Sequence, residues 1–354
     1  MASDDPSVAE DEIPFEGEIR CVQCGITYPV LLGIPDLRLW PDPYISMAED
    51  RAKASMLAQR CAGLGFEDSL LLYYSITAAV PPFQATRFVR SLLAAEARAD
   101  TWLRALEEGV ETVHGGLIDV GCGTAPILVS ASGRYRHVVG VDVALRWLVL
   151  ARKRLDEAGI KAPLVCACAE ALPFARESFD VATADSTLEH LRDQGAGCKQ
   201  LQLVLRGGGR LFVSTPNRRS IGPDPHTGLP AGGWLPDAIS AAYVTRKGGI
   251  PPRRNLLSAG MLRDLLARNG FDEIVIEPPS VPKAQRASFG RLARAAIDAY
   301  LLMRRLPGGS AVLRAVGPLL TASARRKTTY PSERPYPDVH VTAGQARNAD
   351  DRGR

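Results

Sequence analysis

Between residues 116 and 215, short β-branched runs alternate with longer helical stretches. The runs are Gly116–Val120, His137–Asp142, about Pro163–Cys166, Phe179–Ala184 and Gly209–Ser214. Parallel neighbours cannot be joined by tight hairpins and need crossover connections, so this rhythm predicts a parallel sheet with helices on its faces. The helix expected over Ala144–Ala158 places Leu148, Ala151 and Leu155 on one face, and Gly159 follows as its stop. Ser258 can cap a helix over Gly260–Arg268 that ends at Asn269-Gly270. A sixth strand (Phe271–Glu277), a helical pattern over 287–305 and a last strand (Leu319–Ala324) complete the count. In the 287–305 pattern, Leu292, Ala296, Ala299, Tyr300 and Met303 share a face.

Composition narrows the class. The chain has 354 residues, 46% hydrophobic and 23% charged, enough for one large domain with attachments or for two. No run approaches the roughly 18 apolar residues of a membrane span. The N-terminus is acidic up to Arg20, whereas a secretory signal starts basic, and the seven cysteines are an odd set with no disulfide-scaffold density. A reducing cytoplasm is the expected compartment. The net charge of +4 names no polyanionic partner.

The segment Leu117-Ile118-Asp119-Val120-Gly121-Cys122-Gly123-Thr124-Ala125-Pro126 runs an apolar strand into two glycines and then a helix. Such a turn lets backbone approach a ligand that a Cβ would repel. Asp142 closes the next strand, 21 residues after Gly121, where a carboxylate can accept from both hydroxyls of a ribose. A diphosphate wants a glycine at the position of Pro126, which also lacks an amide proton. A nucleoside without phosphates fits better.

This segment resembles motif I of the class I S-adenosylmethionine-dependent methyltransferases, and three later segments resemble the family in order and spacing. They are Cys168-Ala169-Glu170-Ala171-Leu172-Pro173-Phe174, then Ser178-Phe179-Asp180-Val181 with Leu188-Glu189-His190-Leu191, then Leu203–Leu211 around Gly207-Gly208-Gly209. The resemblance covers about residues 84–277. It implies an α/β fold with a Rossmann-like, seven-stranded, mostly parallel sheet flanked by helices, an N-terminal helical cap, and S-adenosyl-L-methionine as methyl donor. Asp119, Gly121, Cys122 and Gly123 would line the methionine part. Asp142 would hold the ribose, Val143 would pack on the adenine, the Ala169 amide would face the ring, and Asp185 would lie beside the sulfonium. Two positions depart: the third motif glycine is Ala125, and the acid usual before Ala169 is Cys168.

The family's Asn/Asp-Pro-Pro-Tyr tetrapeptide after the fourth strand is absent, with Asp185-Ser186-Thr187-Leu188 in its place, which favours an oxygen or carbon acceptor over an amino group. Glu189, His190 and the distant His226 are the candidate catalytic groups, with helix and loop support as the plainer role for Glu189 and His190. No metal site is expected, because the residue three before Glu189 is Ser186. Tyr73, Tyr74 and Phe83 are candidates for a roof over the acceptor. Cys21-x-x-Cys24 within Arg20–Pro35 resembles half of a methyltransferase-activator zinc ribbon, but no Cys or His precedes it, so a degenerate ribbon is expected. Residues 283–327 carry ten Lys/Arg against a single acid, Asp298, which suits either a solvated helix face or peripheral membrane contact.

The expected organisation is a flexible acidic arm (1–19), the ribbon-like segment (20–40), a methyltransferase domain (46–327) and a disordered tail (328–354). Within the domain lie cap helices (46–110), a core (116–277) and a closing helix and strand (287–327). The expected function is methyl transfer to a small or lipid-linked acceptor, with no nucleic acid partner. A cofactor-binding protein without turnover and an RNA methyltransferase are the alternatives.

Overall fold

The computed structural model describes residues 15–22, 24–77, 80, 82–107, 115–222, 224, 229–247, 251, 253–287, 289–328 and 341–343. In chain order the elements are β1 (Glu16–Cys21), β2 (Thr27–Leu31), β3 (Ile34–Pro35), α1 (Met47–Arg60), α2 (Phe66–Ser75), α3 (Pro82–Leu93) and α4 (Ala95–Glu107). Next come β4 (Gly116–Val120), α5 (Pro126–Ala131), β5 (His137–Asp142), α6 (Leu145–Glu157), β6 (Leu164–Cys166), β7 (Phe179–Asp185), α7 (Gln194–Val204) and β8 (Leu205–Pro216). The last are α8 (Asp237–Arg246), α9 (Ala259–Arg268), β9 (Phe271–Glu277), α10 (Lys283–Ala287), α11 (Arg291–Arg305), α12 (Gly309–Val316), β10 (Leu319–Arg326) and β11 (Val341–Ala343).

Seven strands form the main sheet in the order β6-β5-β4-β7-β8-β10-β9, with β10 antiparallel to both its neighbours. The expected α/β architecture is present. Burial on both faces explains the near-continuous apolar strands. Leu117 of β4 joins a core with α2, α5 and α6, while Ile118 and Val120 join the core under α7 and α9. Ser258 caps α9 as its sequence predicts, its hydroxyl accepting from Met261 N at 3.4 Å. β8 starts at Leu205, four residues earlier than Gly209, and its pairing with β7 is irregular around Gly208, which takes φ +76°.

The N-terminal strands make a second, four-stranded sheet in the order β11-β1-β2-β3. Two segments therefore differ from the sequence reading: Glu16–Ile19 belong to β1 rather than to a loose arm, and residues 341–343 pair with β1 rather than trailing as tail. The rest of the expected arm and tail, 1–14, 329–340 and 344–354, lies outside the described residues. The small sheet docks on the free edge of β6, where Leu37 N donates to the Cys166 carbonyl at 2.7 Å. An edge strand left unpaired invites association, so this docking also covers a liability.

A buried ion network locks the junction. Arg38 donates to both oxygens of Asp36 at 2.7 Å, to Asp50 at 2.6 Å and to the Val143 carbonyl at 2.9 Å. Arg146 of α6 reaches Asp50 at 2.7 Å and Asp42 at 3.0 Å. Asp50 sits on α1, whose start is fixed by a capping box between Ser46 and Glu49. Burial raises the Asp36 carboxyl, yet Arg38 and Arg51 outweigh it and hold the group below its ordinary value. Removing one partner from such a network leaves a charge buried and unanswered. Arg38→Ala should therefore cost about 3–5 kcal/mol in chemical denaturation. Arg51→Ala, at a side chain 41% exposed, should cost under about 1 kcal/mol.

Candidate active site

A cavity of about 300 Å³ opens at the C-terminal ends of β4, β5 and β7, where the chain order reverses across the sheet. Its floor is the turn after β4. Gly121 has φ +76° and Gly123 φ +51°. A Cβ on Gly121 would meet the Thr187 hydroxyl at 2.1 Å, whereas a Cβ on Gly123 would enter open space. One glycine is thus needed for packing and the other leaves room for a ligand. Ala125 also takes a left-handed φ, +60°, just before Pro126 starts α5.

Asp142 holds this turn from the side. Its Oδ2 accepts from Gly123 N at 2.9 Å and its Oδ1 from Ala144 N at 2.8 Å. Each carboxylate oxygen has two lone pairs, so both keep capacity for a hydroxyl donor. Burial pushes the Asp142 carboxyl up to about 6, partly offset by the two amides. Val143, Ala169 and Leu191 wall the adjoining space, and the Ala169 N–H finds no acceptor among the described residues. A backbone amide without a partner in a buried residue is uncommon. Gly121, Gly123, Asp142, Val143 and Ala169 accordingly converge on one cavity, as a nucleoside without phosphates requires.

Other expected residues stand elsewhere. Asp119 does not line the cavity; it is fully buried between β4 and β7 and accepts from the Thr183 hydroxyl at 2.7 Å. Burial pushes its carboxyl up to about 8. Cys122 and Cys168 point away too. The Cys122 sulfur packs under Gly140, and the Cys168 thiol donates to the Trp40 carbonyl at 3.6 Å. Asp185 accepts hydrogen bonds from Ser214 and Ser186 at the end of β7, behind Ser186 and Thr187 on the cavity wall.

Of the candidate catalytic groups, His190 lines the cavity and Glu189 does not. His190 Nδ1 lies 3.3 Å from the Arg253 carbonyl. A carbonyl only accepts, so the proton of the neutral ring sits on Nδ1 and Nε2 is the basic nitrogen. Burial lowers the His190 pKa below 6.5, so the ring is neutral at neutral pH. Glu189 is fully buried, accepts from Thr215 Oγ1 at 3.1 Å, and is pushed up to about 8 by burial. His226 lies outside the described residues.

The roof was not where the aromatic residues suggested. Tyr73 is core, packed on Trp147, and Tyr74 stands edge-on beside it. The side chain of Phe83 lies outside the described residues. The cavity is covered by Trp40–Tyr44 and by Leu92 of α3. Arg192 holds this strap, its guanidinium 5.6 Å from the Trp40 ring centroid and 3.2 Å from the Pro41 carbonyl. Tyr44 Oη accepts from Arg253 N at 3.1 Å on the other side. The alternation of Trp40-Pro41-Asp42-Pro43-Tyr44 marks an extended aromatic segment, a usable signal in the sequence.

None of the seven cysteines is in a disulfide, and among the described residues no group of three or more His, Cys, Asp or Glu could hold a metal. Cys21 is buried and Cys24 exposed.

Residues 118–213, which carry the turn, Asp142, Ala169 and His190, match the family described as "Methyltransferase domain". A methyltransferase domain is matched over this segment. The chain is 37% identical over 129 residues to a ubiquinone biosynthesis O-methyltransferase of Idiomarina loihiensis, covering 36% of this chain and 49% of that protein. An O-methyltransferase of Pyrenophora dematioidea is 31% identical over 159 residues, covering 44% and 53%. The chain thus spans about half the length of the curated relatives it matches. Among solved structures, an S-adenosylmethionine-dependent methyltransferase of Mesorhizobium loti matches with TM-score 0.44 at 22% identity, covering 64% of this chain and 98% of that one.

The titration of Glu189 gives a test of its burial. In the folded chain it keeps its proton up to about 8, whereas unfolded it ionises above about 4.5. The folded state binds more protons across that window, so stability falls as pH rises through it. Glu189→Gln should flatten this fall by an amount on the order of a few kcal/mol, read from urea unfolding at a series of pH values. An unchanged slope would show that Glu189 is ionised in the fold.

Proposed function

We propose that the chain is an S-adenosylmethionine-dependent methyltransferase acting on a hydroxyl oxygen of a small, lipid-linked acceptor. The observation that carries the donor is the convergence of the Asp142 carboxylate and the unpartnered Ala169 N–H on the cavity floored by Gly121 and Gly123. Asp142 would take the ribose hydroxyls, Ala169 an adenine nitrogen, and Val143 and Leu191 the faces of the ring. When bound, this donor supplies a methyl group already activated on a sulfonium. The protein has then to align the acceptor and remove its proton. The names of the matched relatives favour oxygen over carbon and a lipid-linked acceptor over a free one.

His190 Nε2 is assigned as the base that takes the hydroxyl proton. The Arg253 carbonyl orients the ring, and burial keeps it neutral. Glu189 is assigned a positioning role, bracing the turn before His190 through Thr215, since a carboxyl pushed up to about 8 is a poor proton acceptor at neutral pH. Seven thiols with no disulfide suit a cytoplasmic enzyme. The Cys21/Cys24 segment is assigned as a ribbon that keeps its strands without a complete ligand set.

Calorimetry with S-adenosylmethionine should show saturable binding, weakened roughly ten- to a hundredfold in Asp142→Ala. S-adenosylhomocysteine should form when a prenyl-linked phenol is added. His190→Ala should lower kcat by about 10²–10⁴ while leaving donor affinity nearly unchanged. The acid limb of the kcat profile should fall below pH 6.5, because the His190 pKa is depressed. Donor binding with no product from any hydroxylated acceptor would instead favour a binding protein without turnover.

A further inference from the structure

α11 covers little of the domain: none of its fifteen residues is buried. Its inward contacts are the half-buried Ile297, Tyr300 and Leu301, with the Tyr300 hydroxyl donating to the Pro279 carbonyl at 2.6 Å. The opposite face is apolar. Leu292, Ala295, Ala299, Leu302 and Leu306 recur at steps of three and four, which aligns them as one stripe along the helix. Leu292 is 90% exposed, Leu302 61% and Leu306 54%, and Val312 of the adjoining α12 is 51% exposed. The expected face of this helix is divided: Leu292, Ala296, Ala299 and Met303 are exposed, while Tyr300 turns inward.

Charge decides what this stripe suits. On a helical wheel Arg291, Arg294 and Arg305 lie along one flank of it. None of the three has a carboxylate within ion-pair distance among the described residues. The single acid of 283–327, Asp298, is already taken by Arg286 through hydrogen bonds of 2.6 and 2.5 Å. A second copy of this helix offers no spare carboxylate to answer those guanidinium groups. An anionic lipid surface does, and it accepts the leucines as well.

The position of the hairpin adds direction. Asn217, just past the end of β8, donates through Nδ2 to the Arg314 and Ala315 carbonyls at 3.2 and 3.3 Å and through its amide to Pro318 at 3.0 Å. α12 is thereby fixed at the C-terminal end of the parallel strands, the end at which the cavity opens.

We propose that α11 and the start of α12 form a peripheral docking surface for an anionic membrane. The surface is formed by these two helices and does not depend on methyl transfer, whose donor binding is read separately. The full chain should float with phosphatidylcholine vesicles containing phosphatidylglycerol, not with phosphatidylcholine alone, and high salt should release it. Leu302→Glu with Leu306→Glu should abolish flotation. Arg291→Glu, Arg294→Glu and Arg305→Glu together should weaken vesicle binding by roughly a hundredfold or more. These side chains are exposed, so thermal unfolding and S-adenosylmethionine binding should be unchanged in both variants. Flotation with neither vesicle, or equal flotation of wild type and variants, would overturn the proposal. So would a wild-type dimer in sedimentation that the leucine variant converts to monomer without any vesicle binding.

Discussion

Three carboxylates and two guanidinium groups buried together, Asp36, Asp42 and Asp50 with Arg38 and Arg146, hold the N-terminal part of the chain on the main sheet and its helices. Arg51 adds the third positive charge from the surface side, so the cluster is neutral as a whole. Desolvating five charges is expensive, and the cluster persists only because its oxygens are multiply hydrogen-bonded, Asp50 also accepting from Leu145 N at 2.8 Å. Its members come from the strand after β3, from the strap, from α1 and from the first turn of α6. The strap over the cavity is suspended between these anchors. The upper wall of the site is thus built by residues well outside 118–213, the part that relatives share.

The floor of the site depends on local backbone chemistry instead. Gly121, Gly123 and Ala125 all take left-handed φ values in a space of five residues. At Ala125 this costs roughly 1–2 kcal/mol that a glycine would avoid. Two features offset it: Pro126 has its φ preset for the first turn of α5, and Ala125 N donates to the Cys122 carbonyl at 2.7 Å. Ser186, with φ +53°, is a second non-glycine residue held this way at the cavity wall. Thr187 stabilises that bend by donating one hydroxyl between the Val120 and Asp185 carbonyls. Strained residues on both sides of the cavity are backed by hydrogen bonds from the elements behind them, as a preorganised site requires.

The succession of strands and the glycine turn after β4 were legible in the sequence because both rest on short-range rules, whereas the order of the strands in the sheet was not. Alternating runs place β4 to β8, and a glycine pair followed by Asp142 fixes the turn. The faces of single residues were less legible. Asp119 reads as a ligand residue, yet its side chain enters the sheet interior beside Thr183. Glu189 and His190 are neighbours in sequence, but a 3-10 turn sends one into the core and the other to the cavity. In α11 alanine and leucine occur all round, so periodicity alone cannot choose the buried face; the bulk of Ile297, Tyr300 and Leu301 decides it. The strap has no period at all; it bends, with Tyr44 N and Ile45 N donating to the Asp42 carboxylate.

Cys168 joins these levels. The family's usual acid at this position would accept a hydrogen bond from a ligand amino group, and its loss reads as a weakened site. In the fold the Cys168 thiol is buried and donates to the Trp40 carbonyl, the first residue of the strap. The backbone of Trp40 and Leu39 and the nearby Arg38 charge favour the ionised thiol, but burial and the Glu170 carboxylate work against it and burial is the largest effect. A thiol can give a weak hydrogen bond and carries no charge, and burial pushes its pKa further up, so it stays protonated. The substitution is therefore coupled to the strap. A side chain that reads in the sequence as a lost ligand contact is thus, in the fold, a contact between the end of β6 and the segment that covers the cavity.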